Sequence, residues 1–220
     1  HIGPDSYVLD VGCGAGATPS YLAKDVGCRV VAVDLREGMI ARARERARRE
    51  RVEERVEFRV ADARDLPFEG CLFDAVLCES VATFVKEKQQ VVHELTRVLK
   101  PGGYVGLNEE IWIETPPAPL AKEVEHIFSV EPDLPTEGDW RVMLEQAGLQ
   151  DLVVNCHKFT TRGESAQLKR YRLRDMAAMF YRTLGLYLKN PAFRDYMRER
   201  RRLPGDAFRY FGYGLFVGRK

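Results

Sequence analysis

Asp10-Val11-Gly12-Cys13-Gly14-Ala15-Gly16 closes the short apolar run that begins at Tyr7 and opens a helix-like stretch. Its three glycines allow a tight turn and let a ligand approach the backbone at the start of a helix, a place that suits bound polar groups. Asp10 is the more informative residue. A carboxylate two residues before the first glycine repels a pyrophosphate but attracts a ligand that carries a cation. The spacing is Gly-x-Gly-x-Gly, whereas nicotinamide binding uses Gly-x-Gly-x-x-Gly. Asp34 follows about 20 residues on, at the end of the β-branched run Arg29 to Val33, where a carboxylate can accept both hydroxyls of a ribose. Taken singly, Asp10 reads equally well as a turn carboxylate and Asp34 as a strand-end surface residue; their joint spacing favours a ligand.

The same reading extends outward. Tyr7 to Val11 and Arg29 to Val33 enclose one βαβ unit. Arg36 to Arg51 predicts a helix with a solvated basic face and Met39 and Ile40 on its buried side; Val56 to Val60 and Phe73 to Cys78 predict strands. Gln89 to Lys100 has Val91, Val92, Leu95, Val98 and Leu99 at helical spacing, with Pro101-Gly102-Gly103 as the expected stop, and Tyr104 to Leu107 as a fifth strand. Regular alternation of strand and helix predicts a parallel sheet covered on both faces, with ligands at the carboxyl ends of its strands. Beyond Glu114 the spacing predicts helices over Pro119 to Val130 and Thr136 to Ala147, the second capped by Thr136, then strands over Leu152 to Thr160 and Tyr210 to Val217.

At 220 residues and 45% hydrophobic content, residues 1–220 are expected to close one core as a single domain. Lys plus Arg number 34 against 33 acids, so the overall charge of +1 does not argue for nucleic acid or membrane. Five cysteines without a CxxC pair, and no apolar run near the roughly 18 residues that cross a bilayer, lead to the expectation of a cytoplasmic protein. The chain opens on His1 and enters its first strand by Tyr7, so an N-terminal piece is expected to have been removed. His93, His126 and His157 have no ligand partners at metal spacing, and no metal is expected.

Val8 to Gly16 resembles the first motif of the class I S-adenosylmethionine (SAM)-dependent methyltransferases, and Val31 to Leu35 resembles their second. Ala61-Asp62-Ala63 is similar to the family segment that receives adenine. Asp65-Leu66-Pro67-Phe68 and Glu94 to Gly103 are similar to stretches of the quinone, tocopherol and sterol methyltransferases. The resemblance covers about residues 7 to 110 and implies a Rossmann-like, doubly wound, mostly parallel seven-stranded sheet with a helical insertion before the last strand. It implies SAM as cofactor, with S-adenosylhomocysteine as product. It places Asp10, Gly12, Gly14, Gly16 and Asp34 at the cofactor, Leu35 and Met39 beside its adenine, Asp62 on the exocyclic amine and Ala63 through its backbone. SAM fits the residues as well, having amino and sulfonium cations and no phosphate.

Glu79 closes the fourth strand, where the resemblance implies the methyl group is presented. It is the candidate catalytic residue, orienting the acceptor or removing its proton; the plainer reading is a carboxylate that holds the amino end of SAM or caps the next helix. Asn108, Glu109, Glu110 and Trp112 follow the fifth strand and are candidates to line the same cavity, although Trp more often packs in a core. Residues 161–205 are expected to form a helical insertion. Between Arg162 and Arg202 it has 12 Lys or Arg and four acids, a local charge of +8, and Leu173, Met176, Phe180, Leu184 and Tyr187 recur at helical steps. A lid over the cleft is the plain reading, and a docking surface for an anionic lipid, a phosphorylated substrate or RNA is the sharper one. The function expected is methyl transfer to a small-molecule acceptor (an amine, a hydroxyl or an activated carbon, lipid-like or not). The alternatives are an RNA methyltransferase using the basic insertion, a non-catalytic SAM-binding protein and, disfavoured by Asp10, a nicotinamide-dependent oxidoreductase.

Overall fold

A computed structural model describes residues 2–128, 134–158, 173–200 and 209–220. Its centre is a seven-stranded sheet in the order β3-β2-β1-β4-β5-β7-β6. The strands are β1 (Tyr7–Val11), β2 (Arg29–Asp34), β3 (Val56–Val60), β4 (Phe73–Glu79), β5 (Leu99–Trp112), β6 (Gln150–Lys158) and β7 (Phe211–Arg219). The pairs among β1 to β5 are parallel, and β7 runs antiparallel between β5 and β6. The doubly wound, mostly parallel sheet expected from the sequence is the one observed.

Continuous apolar strands are what a sheet covered on both faces requires. Successive residues of β1 and β2 bury into opposite cores. Leu9, Val11, Val31 and Val33 meet α3 (Lys88–Val98) and α5 (Glu137–Gln146) through Val91, Leu95, Trp140 and Leu144. Val8, Val30 and Ala32 meet Leu22, which directly follows α1 (Ala17–Tyr21), and Ile40, Ala43 and Ala47 of α2 (Glu37–Glu50). In α2 the buried Ile40, Ala43 and Ala47 form a narrow stripe, and the arginines stay outside as the charge pattern predicts. α1 continues as one wide turn over Leu22–Val26. Thr136 caps α5 in a reciprocal box: its Oγ1 accepts from Asp139 N at 3.3 Å and its own N–H donates to Asp139 Oδ2 at 2.8 Å.

Two expectations need correction. The helix before β5 ends at Val98, and Pro101-Gly102-Gly103 lie within the fifth strand, which runs from Leu99 to Trp112, far beyond the stretch Tyr104 to Leu107. The register explains it: Leu99 pairs with Phe73 and Tyr104 with Ala75, so the proline and glycines form a bulge opposite β4. Gly102 N and Gly103 O are then taken up by Lys220 O and Lys220 N. The sixth strand is described over Gln150–Lys158; the expected end at Thr160, like residues 129–133, lies outside the described residues.

Gly212 marks the tightest point of the β7 pairing. A Cβ there would run into the His157 carbonyl oxygen and lie 2.7 Å from Ile113 Cγ1. Gly212→Ala is expected to cost about 1–3 kcal/mol through this overpacking, and a thermal denaturation scan should show the loss as a melting point lower by several degrees.

Candidate active site

The carboxyl ends of β1, β2, β4 and β5 carry the site. Gly12, Gly14 and Gly16 all have positive φ, at 77°, 52° and 76°, a conformation that disfavours a side chain. Close packing adds to this at two of them. A Cβ on Gly12 would overlap Val81 Cγ2, and one on Gly16 would lie 2.8 Å from Ala43 Cβ, whereas Gly14 faces open space. The loop is therefore packed at its two outer glycines and open at the middle one.

Asp34 holds this loop from below. Its Oδ2 accepts from Gly14 N and its Oδ1 from Arg36 N, both at 2.9 Å. Asp10 is buried, and its Oδ2 has no hydrogen-bond partner. Burial foremost, then the charges of Glu79 and Asp34, pushes its carboxyl up to about 7. A deeply buried carboxylate with one oxygen unpartnered and two other acids acting on it is costly unless a cation joins it. Cys13, in the same loop, has its thiol pushed up to about 12 by burial and then by Asp10 and Asp34, so it is not a poised nucleophile.

Leu35 projects into solvent at the end of β2, with Met39 half-buried on the first turn of α2. Ala63 is buried beneath the neighbouring loop. Asp62 lies in that loop but is engaged: Arg64 donates Nη2 to its Oδ2 at 2.7 Å and its backbone N–H to Oδ1 at 2.9 Å, and the guanidinium also reaches Glu87 at 3.2 Å. These bonds hold the Asp62 carboxyl below the usual range. The sequence reading did not foresee this clamp, although an Asp and an Arg two residues apart in a turn are its signal.

Glu79 is exposed, and its Oε1 accepts a long bond from Thr18 Oγ1 at 3.4 Å. On β5, the pleat separates the candidates that sequence grouped together. Glu110 stays half-buried on the side of Glu79, accepts from Ser80 Oγ at 3.2 Å on Oε1, and has a buried Oε2 without a partner. Glu109 points the other way and is fully buried. Burial raises its carboxyl, against the pull of Thr83, Val81 and Ala82 donors. Trp112 is buried and packs edge-on against Phe211 in a third cluster with Leu120 and Val124 of α4 (Ala118–Phe128). Of the histidines, His93 is exposed on α3 beside Gln89, and His157 stacks on Tyr213. The side chain of His126 lies outside the described residues.

The glycine cradle and the unpaired cation seat fit a ligand such as SAM, and known proteins point the same way. Residues 9–107 match the family described as "Methyltransferase domain". Over these residues the chain is similar to methyltransferases. Among similar proteins, the demethylmenaquinone methyltransferase of Clavibacter sepedonicus is 43% identical over 115 residues, 52% of this chain and 44% of that protein. The sarcosine/dimethylglycine N-methyltransferase of Halorhodospira halochloris is 28% identical over 156 residues, 71% of this chain and 56% of that one. The phosphoethanolamine N-methyltransferase 2 of Haemonchus contortus, solved in complex with S-adenosyl-L-methionine, superposes with a TM-score of 0.78 at 23% identity, covering 100% of this chain and 50% of that one. The latter likeness is one of fold. The alignments span between 36% and 60% of the length of the first four curated relatives.

The insertion between β6 and β7 contributes α6 (Leu173–Lys189) and α7 (Pro191–Arg200), and α7 touches α4, the helix that follows the carboxyl end of β5. Arg162, Lys169, Arg170, Arg172, Arg201 and Arg202, half of its basic residues, lie outside the described residues. No described helix is long and apolar enough to cross a membrane.

Proposed function

We propose that this chain transfers the methyl group of SAM to a small-molecule acceptor. The observation that supports it most is Asp10 Oδ2, buried without a partner beside a glycine loop open at Gly14. In this reading Asp10 neutralises the amino-acid end of the cofactor, and Gly12, Gly14 and Gly16 allow its close approach. Asp34 takes the ribose hydroxyls with the lone pairs that Gly14 and Arg36 leave over. Leu35 and Met39 flank adenine, with Asp62 and Ala63 at its edge. When bound, SAM supplies a methyl carbon on a sulfonium, open to in-line displacement. The protein's work is then to align the acceptor, exclude water and accept a proton where the acceptor has one to lose. Calorimetric titration tests the reading: SAM and S-adenosylhomocysteine should bind and NADH should not, and binding of NADH alone would overturn it.

Glu79 is the proton acceptor in this scheme, because it is exposed at the end of β4 beside Asp10, with Glu110 second. Glu79→Ala is expected to lower turnover about a hundredfold, as loss of a general base does, while S-adenosylhomocysteine affinity changes little. If affinity falls instead, Glu79 holds the cofactor, the role that its bond from Thr18 favours.

Residues 161–205 are proposed as a lid and acceptor-binding insertion of a single domain over residues 1–220. The described side chains of α6 present Phe180, Tyr181, Leu184, Leu186 and Leu188 to solvent, which favours an apolar, lipid-like acceptor over RNA. Association with anionic vesicles that weakens with salt would add a basic contribution from the same insertion.

A further inference from the structure

The turn that follows β4 has an unusual support. Val81, Ala82 and Thr83 begin a single helical turn (Ala82–Phe84), and no local side chain caps it. Backbone N–H groups at such a start have no partner within the turn. All three point at one carboxylate far away in sequence. Glu109 Oε1 accepts from Val81 N at 3.2 Å and from Ala82 N at 3.1 Å. Glu109 Oε2 accepts from Thr83 N at 2.9 Å and from Thr83 Oγ1 at 2.6 Å. Glu109 is completely buried, so these four donors replace the water that an ionised carboxylate would otherwise require.

What this turn carries makes the support functional. Val81 packs on Gly12, so the turn forms one wall of the cofactor loop. Glu79 and Ser80 precede it directly, and Ser80 adopts a φ of 52°, a strained value for a serine that its surroundings must enforce. Ser80 N is held by Asn108 O at 2.8 Å, and Ser80 Oγ by Glu110. The two adjacent acids of β5 thus grip the turn from opposite faces of the sheet, one through Thr83 and its neighbours and one through Ser80.

We propose that Glu109 is a positioning residue: it fixes the 80–84 turn so that Val81 closes on Gly12 and the cofactor loop is held ready to bind. Its effect passes through Val81 and the backbone, not through contact with the ligand. This rests on the methyltransferase reading for the identity of the ligand, but the link between Glu109 and the turn does not.

Four single variants and one double variant test it, with S-adenosylhomocysteine as the probe. Glu109→Gln keeps the shape but turns an NH₂ toward backbone donors, and should weaken binding at least about tenfold. Val81→Ala should weaken it several-fold, and the double variant should be no worse than Glu109→Gln alone, because both act on one element. Ile111→Val, on the same strand and facing the same core, should leave binding within about twofold while costing about 1 kcal/mol of stability. Thr83→Ala, a milder change that keeps the carboxylate, should give about a threefold loss. Near-wild-type binding by Glu109→Gln, or single effects that multiply in the double variant, would overturn the proposal. If Glu109→Gln does not fold, unchanged binding by Thr83→Ala would do the same. Amide hydrogen exchange decides without ligand: the N–H groups of Val81, Ala82 and Thr83 should be protected in the wild type, lose that protection in Glu109→Gln, keep most of it in Thr83→Ala and all of it in Ile111→Val. Rapid exchange of these amides in the wild type would overturn the proposal even if no S-adenosylhomocysteine bound, an outcome that would itself count against the cofactor reading.

Discussion

Asp34→Ala should bind S-adenosylhomocysteine at least a hundredfold more weakly than the wild-type chain. Two losses combine at this position. The carboxylate accepts one bond from Gly14 N and one from Arg36 N, so removing it frees the open middle of the glycine loop. It also withdraws the proposed acceptor for two ribose hydroxyls. Hydrogen bonds to a charged group contribute about 1.5–3 kcal/mol each, so two of them to the diol account for about a hundredfold or more. Asp34→Asn keeps one acceptor oxygen and should fall between. Calorimetry on the three proteins checks the order, and equal affinity in all three would remove Asp34 from the site.

Asp10→Asn should abolish a pH dependence that the wild type shows near neutrality. The Asp10 carboxyl titrates at about 7 when folded, against an ordinary value of 3.8, because of burial and then of Glu79 and Asp34. The folded state therefore holds a proton that the unfolded state releases. The stability this contributes is complete below about pH 4 and is lost as pH rises through about 7. Binding a cationic ligand runs the other way: it favours the ionised carboxylate, so affinity should fall as pH drops below 7, and binding near pH 7 should release a proton. Titrations in buffers of different ionisation enthalpy measure that release directly. Asp10→Asn should release none from this site, show a flatter stability profile between pH 4 and 7, and bind more weakly at pH 8. A wild type whose affinity is the same at pH 6 and pH 8 would contradict the role given to Asp10.

The glycine loop and the end of the second strand, where the cofactor is proposed, were legible because local chemistry dictates them. Positive φ at Gly12, Gly14 and Gly16 is a demand on residue type, and Asp34 lies where the second strand must end. The side chains that complete the site were harder to read, since their partners are distant in sequence. Asn108, Glu109 and Glu110 were grouped as candidates for one cavity, yet the pleat sends Glu109 into the core and Glu110 to the side of Glu79; strict alternation with Val105, Leu107 and Ile111 was the available signal. Val81 gave no sign that it packs on Gly12, a contact that depends on two parallel strands ending at the same level. Pro101-Gly102-Gly103 looked like a stop because both residue types end helices, and only the register with β4 reveals the bulge.

The antiparallel strand β7 joins β5 and β6 over a long register, from Tyr104 to Trp112 on one side and from Gln150 to Lys158 on the other. The segment between Lys158 and Phe211 therefore begins and ends on strands that are paired whatever lies between them. For a flexible connection, each doubling of length costs only about 0.6 kcal/mol of closure entropy. Such a loop can lengthen, shorten or exchange its contents while β1 to β5 and the glycine loop keep their geometry. The fold thus lets the segment between β6 and β7, the proposed acceptor side, change at small thermodynamic cost, independently of the glycine loop and the parallel strands that carry the proposed cofactor site.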